Sequence, residues 1–194
     1  MPDLLFQKFA EIVQLTEQEK KLSLSFFTPK KIRKKQYFLQ EGDLSKHVAF
    51  VEKGLLRLYK VDNKGHEHII QFAFEGWWIS DQYSYLTGLP SEYNIDAMED
   101  AELLLLSRRS QEEMLEKIPK FERFFRILLQ NNLIATQKRL TNALSQTAEE
   151  RYKDLIAACP VSMPKRIPQH MLASFLGITP ETLSRIRKQI AVGK

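Results

Sequence analysis

The densest set of side chains able to do chemistry lies in residues 169–190, QHMLASFLGITPETLSRIRKQI. Glu181, Thr182, Ser184, Arg185 and Lys188 recur at spacings that bring them to one side of a helix. Their chemistry is recognition, not bond breaking. An arginine fork matches the two acceptors of a guanine edge, and a carboxylate can accept from cytosine N4. Hydroxyl, amide and ammonium groups suit phosphate, a role for Ser184, Lys188 and Gln169. Glu181 and Arg185 are therefore the candidate base readers, with Thr179 and Thr182 beside them.

Two short helices must position these groups. Met171, Leu172, Phe175 and Leu176 give the first a buried face, and Gly177 follows where a left-handed residue is needed. Thr179 is placed as an N-cap, with Pro180 at the first helical position and Glu181 at the positive helix end. Leu183, Ile186 and Ile190 bury the second helix. This layout is that of a helix-turn-helix. The competing reading is an ordinary helical hairpin in a core. Charge separates the two. Residues 163–194 hold six Lys/Arg and one acid, out of 29 and 24 in the chain, so the remainder balances at 23 each. The whole excess of +5 sits where phosphate would lie. A second basic run, Lys30, Lys31, Arg33, Lys34 and Lys35, reads as a solvated strand or loop.

Other chemistries find little support. His66 and His68 lie on one side of a strand but lack convergent partners, and His47 and His170 are isolated. No nucleophile elbow or phosphate loop occurs, so no catalytic residues, metal site or cofactor are expected and the chain does not read as an enzyme. A single cysteine, Cys159, excludes an intrachain disulfide and cysteine-based metal or iron–sulfur sites, and suits a reducing cytoplasm. The N-terminus is an amphipathic helix, and no run is long enough to cross a bilayer.

The rest of the chain divides by period. Residues 3–13 and 16–24 read as helices, Thr16 and Glu19 forming a capping box, with Pro29 ending the helical pattern. Across residues 30–107, short apolar segments alternate with turns, and glycines stand at 42, 54, 65, 76 and 88. That spacing predicts an antiparallel jelly roll of about eight strands. Residues 110–117 form a short helix and 119–145 a long one, about 40 Å at ~1.5 Å per residue. Phe121, Phe125, Leu128, Leu129, Leu133, Leu140 and Leu144 share a broad side of it, which predicts a partner helix from a second subunit. A helix over 148–158 follows, broken by Pro160 and Pro164. Within the β region, Trp77, Trp78, Tyr83, Tyr85 and Tyr93 crowd into 17 residues around a short helical or looped cassette at 86–90. They could line a ligand cavity, but filling the barrel is the preferred reading.

Strands first, a long helix next and ASFLGITPETLSRIRK at 173–188 last: the whole chain resembles the Crp-Fnr family of bacterial transcription regulators. The resemblance implies an α+β chain with three parts. These are a cyclic-nucleotide-binding-like jelly roll (1–118), a dimerisation helix (119–146) and a helix-turn-helix domain (147–194). It implies a homodimer on palindromic double-stranded DNA, with RNA polymerase as a candidate further partner and no membrane. Three departures stand out. In the family's Arg-Glu-x-x-x-Arg reading pattern the first position is Pro180, while Glu181 and Arg185 match, so the preferred operator should change. In the ligand cassette, the Gly-Glu positions fall on Ser80 and Asp81, and the Arg-Ser positions on Ser91 and Glu92. A carboxylate where phosphate should sit would repel an anion by several kcal/mol, so cyclic AMP should not bind in the family manner. If the cassette holds another small-molecule effector, Trp78, Ser80, Asp81, Tyr83, Ser91, Glu92 and Tyr93 would line it. The effector is otherwise unknown or absent. Finally, the β-hairpin wing is expected to be short or absent, with at most a short strand near residues 165–167. The alternative function is a ligand-sensing β module acting through protein contacts without specific DNA binding.

Overall fold

The computed structural model describes residues 3–158 and 163–192. Cys159, Pro160 and the expected chain break there lie outside the described residues, as does Lys194. Two helices open the chain, α1 (Asp3–Ala10) and α2 (Glu17–Leu24). The capping box forms: Thr16 Oγ1 accepts from the Glu19 amide at 3.2 Å, and Glu19 Oε2 accepts from the Thr16 amide at 2.7 Å. Pro29 does not end this helical pattern. It lies within β1 (Phe27–Ile32), an edge strand, where its missing N–H interrupts no inner ladder.

The β region holds eight strands, in agreement with the turn spacing. After β1 come β2 (Tyr37–Leu39), β3 (His47–Lys53), β4 (Leu56–Val61) and β5 (Glu67–Ala73). Then follow β6 (Trp78–Ile79), β7 (Asn94–Ala97) and β8 (Ala101–Ser107). They form two four-stranded sheets, ordered β1-β8-β3-β6 and β2-β7-β4-β5. β8 explains its own unbroken apolar run, AELLLLS. Leu103 and Leu105 face the core between the sheets, with Val51, Leu56, Leu58 and Ile95. Leu104 and Leu106 face a second core beneath the helices. A strand covered on both sides loses the alternation that marks a half-exposed one. Gly54 makes the β3–β4 turn at φ 96°, and a Cβ there would meet the Asp100 carbonyl oxygen at 2.6 Å.

The second core is aromatic. Phe9 of α1 meets Phe121 and Phe124 edge-on, at 4.8 and 4.9 Å between ring centroids. Those two belong to α5 (Lys120–Ser145), the long helix, which follows α4 (Arg108–Lys117). α4 begins before Ser110 because Ser107 Oγ accepts from the Ser110 amide and so caps the helix there. Along α5 the burial changes abruptly. Phe121, Phe124 and Phe125 are buried, whereas Leu129, Leu133, Ile134, Leu140 and Leu144 are 52–82% exposed.

The chain forms two compact units, 1–60 with 70–130, and 61–69 with 131–194; α5 contributes residues to both. The second unit continues with α6 (Ala148–Ala158), α7 (Met163–Arg166), α8 (Gln169–Leu176) and α9 (Pro180–Val192). The short strand expected near residues 165–167 is not formed: Lys165 and Arg166 end the single helical turn α7, and Ile167 follows it as a bend. No strand among the described residues of that segment stands beside them to complete a ladder. Among the described residues, no helix is long and apolar enough to cross a membrane.

Candidate nucleic-acid interface and sensor cassette

The α8–α9 pair is held by a small buried set. Leu172 and Ala173 of α8 and Leu183 of α9 are fully buried, with Leu176 and Ile186 nearly so. The turn between them is a Schellman motif. Gly177, at φ 66°, donates to the Ser174 carbonyl, and Ile178 donates to the Ala173 carbonyl, each at 3.0 Å. Thr179 then caps α9, its Oγ1 accepting from the Thr182 amide at 3.2 Å. The two threonine hydroxyls lie 3.2 Å apart, so both serve the cap.

Burying Leu183 and Ile186 turns Glu181, Arg185 and Lys188 outward, all exposed, with Ser184 at the margin. Gln169 Nε2 donates to the Pro180 carbonyl at 3.0 Å, tying the start of α8 to the start of α9. The result is an open concavity of about 490 Å³ that brings together Gln169, Glu181, Ser184, Arg185 and Lys188 around Pro180. The backbone amide of Glu181 and the Thr179 hydroxyl hold the Glu181 carboxyl below its usual range, so it presents acceptors at neutral pH. Arg187 is a different kind of residue. Its Nε donates to the Tyr152 hydroxyl at 3.1 Å, with the guanidinium 5.7 Å from that ring, so it fastens α9 to α6 and is spent inside the fold.

The cassette of the β domain is built around Asp81. Its carboxylate caps α3 (Gln82–Thr87): Oδ1 accepts from the amides of Tyr83 (3.0 Å) and Ser84 (3.3 Å). Its other oxygen accepts from the Ser91 hydroxyl at 2.7 Å. Ser91 Oγ in turn accepts from the Tyr93 amide at 3.0 Å. Ser80, beside them, accepts from Gln82 Nε2 at 2.8 Å. Ser80, Asp81 and Ser91 are all buried. These residues converge as expected, but they bond to one another.

Three other proposed lining residues lie elsewhere. Trp78 pairs with Phe50 across β6 and β3, and cross-strand partners share a face. That face is the helical one, where its ring meets Phe50 at 5.1 Å and Phe125 at 5.9 Å. Tyr83 is 58% exposed on α3. Glu92 points to solvent and bonds Lys60, which lowers its pKa, so the carboxylate in the cassette is that of Asp81 alone. The filled-barrel reading of the aromatics also divides. Tyr85 is buried and its hydroxyl donates to Gln111 Oε1 at 2.8 Å, burial pushing its pKa up to about 12. Trp77 is 40% exposed.

One buried ionic group escaped sequence reasoning. Arg57 grips Asp96 with two bonds of 2.8 and 2.9 Å, and its guanidinium lies 4.1 Å from the Tyr59 ring. Nothing local signals this, because the partners lie on different strands. His66 and His68, the latter at the start of β5, both contact Asp62 Oδ2, at 3.2 and 3.0 Å, at the exposed β4–β5 connection. Among the described residues no group of three side chains is placed to hold a metal.

Comparison with known proteins places these features. Residues 29–118 match the cyclic nucleotide-binding domain family. FixK2 from Bradyrhizobium japonicum is similar over 86% of this chain and 85% of its own, at 20% identity and a TM-score of 0.73. The catabolite activator protein of Thermus thermophilus is similar over 92% and 85%, at 25% identity and a TM-score of 0.58. A transcriptional regulator of the crp/fnr family from Eubacterium rectale is similar over 92% and 85%, at 14% identity and a TM-score of 0.66. No curated protein matches the sequence significantly. Residues 29–118 are therefore similar to the cyclic nucleotide-binding domain family. The fold of the chain is similar to those of these three solved proteins.

The cassette geometry carries a stability prediction. Asp81→Ala removes the α3 cap and the shorter of the Ser91 hydroxyl's two bonds, leaving it only the Tyr93 carbonyl at 3.1 Å, a loss of about 1–3 kcal/mol. Urea denaturation should show this as a lower midpoint at unchanged slope, with Asp81→Asn recovering part of it; an unchanged midpoint in Asp81→Ala would contradict the assignment.

Proposed function

We propose that this protein is a non-enzymatic, sequence-specific DNA-binding regulator acting as a homodimer on a palindromic site, and that it does not respond to cyclic AMP. The observation that carries this reading is the outward set on α9. Burial of Leu183 and Ile186 leaves Glu181 and Arg185 on the open face, flanked by Ser184, Lys188 and Gln169. Arg185 suits a guanine edge and Glu181 suits cytosine N4, while the others suit phosphate. Pro180 can offer a base no arginine, so the operator differs from those read by an arginine at that place.

Dimerisation is supported by α5. Leu129, Leu133, Leu140 and Leu144 are exposed at spacings of four, seven and four residues, a seam that keeps one side of a helix apolar. Two copies joined along such helices would present two reading helices, as successive major grooves about 34 Å apart require. The twin copy and duplex DNA are the proposed partners, and RNA polymerase is a candidate third.

Cyclic AMP is disfavoured because Asp81 already places a carboxylate at the α3 amides and satisfies it with Ser91. A cyclic phosphate would have to displace that carboxylate or lie against it. No arginine bonds Asp81 or Ser91 among the described residues to offset the repulsion.

Two outcomes check this reading. Arg185→Ala should weaken binding to the specific duplex by about 1–3 kcal/mol while barely changing binding to random DNA, measured by fluorescence anisotropy. Equal losses on both would remove the base-reading role. Millimolar cyclic AMP should leave the thermal midpoint unmoved; a rise that grows with concentration would show that it binds.

A further inference from the structure

A second cavity lies in the β domain, apart from the Asp81 cassette. It is open, measures about 540 Å³, and is lined by Lys30, Phe38, residues 42–47 and Leu105. Its polar side is unusual. Lys30 and Lys46 both lie close enough to His47 to lower its pKa, an effect second only to burial of that ring. Neither lysine forms an ion pair among the described residues; Lys30 has only the Phe38 ring, 5.7 Å from its Nζ. Asp43 also lines the cavity but lies beyond ion-pair distance of either lysine. Ser45, only 7% exposed, has a hydroxyl with no hydrogen-bond partner, although its amide is held by Ser84 Oγ at 2.9 Å. Phe38, Leu44 and Leu105 supply its apolar lining.

We infer that this cavity is a binding site for a small organic monocarboxylate, its carboxylate held by Lys30 and Lys46 and its apolar body lying against Phe38, Leu44 and Leu105. Two lysines facing one acid leave an excess of one positive charge when His47 is neutral. One carboxylate cancels it, whereas a phosphate dianion would leave the pocket net negative. The apolar lining favours an acid with a hydrocarbon body over a bare inorganic anion. The cavity reaches the cassette through its own loop. The Gly42 amide donates to the Ser91 carbonyl and the Ser91 amide to the Asp43 carbonyl, each at 2.8 Å, so a guest here would bear on the segment that carries Ser91. This inference goes beyond the DNA-reading proposal and does not depend on it.

The test uses the full chain without DNA. Acetate, butyrate, octanoate, benzoate and indole-3-acetate, each beside its carboxamide and beside inorganic phosphate, are titrated while the ring signals of His47 are followed by NMR, assigned with His47→Gln. The expected result is saturable binding of at least one acid with an apolar body, at least tenfold tighter than its amide and than phosphate. His47 should shift to a higher pKa as it binds. Lys30→Gln and Lys46→Gln should each weaken that acid about tenfold while leaving the circular dichroism spectrum intact. No acid binding at 10 mM, amides binding as well as acids, phosphate binding more tightly, or a His47 ring unmoved at saturation would each overturn the assignment. Because DNA is absent, these outcomes are independent of whether Arg185 reads bases.

Discussion

Leu183 and Ile186 decide which side of α9 faces solvent. Both are buried against α8, and a helix pinned at positions three apart has only one face left for solvent. The exposed face proposed to read DNA is thus a consequence of packing. The Schellman turn at Gly177, the Thr179 cap and the bond from Gln169 to Pro180 all fix the angle at which α9 meets α8. Arg187 adds a further fastener by stacking on Tyr152 of α6. Replacing any of these alters the aim of Glu181 and Arg185 without touching them.

The same economy of internal partners governs the β domain. Asp81 caps α3 with one oxygen and takes the Ser91 hydroxyl on the other, so the cassette is electrostatically complete without a guest. The buried Arg57–Asp96 pair is likewise closed, with two charge-assisted bonds and an aromatic face. Breaking such a pair by removing one partner leaves an uncompensated buried charge. By contrast, Lys30 and Lys46 converge on His47 without a counter-charge in bonding range. The difference between closed and open polar clusters separates what maintains this fold from what could receive a ligand.

Much of this was legible in residue order, for identifiable reasons. Glycines at regular spacing mark strand ends from β2 to β6, and the eight strands agree with the number expected, but β1 and β2 read as one segment and the two-residue β6 gave no signal of its own. Thr16 with Glu19, and Gly177 with Thr179, are local signals, and the caps they encode are formed. Failures arose where the answer lay across the sheet. Trp78 takes its side from pairing with Phe50, and Glu92 takes its direction from Lys60 on another strand. Asp96 owes its pairing to Arg57, equally remote. The Lys30–Lys35 run reads as solvated, and most of it is, but Lys30 joins a cavity only because β1 passes the 42–47 loop. The helical turn at 163–166 replaced an expected strand because strandhood requires a partner that sequence period cannot supply.

The central claim is that α9 reads base sequence and that two copies read it together. It is tested most directly by selecting bound duplexes from a random pool with the intact protein. The account predicts an enriched palindrome whose half-sites lie one helical turn, about 10 base pairs, or a multiple of it apart. Failure of a folded, dimeric protein to enrich any sequence would contradict it and favour a module that signals through protein contacts.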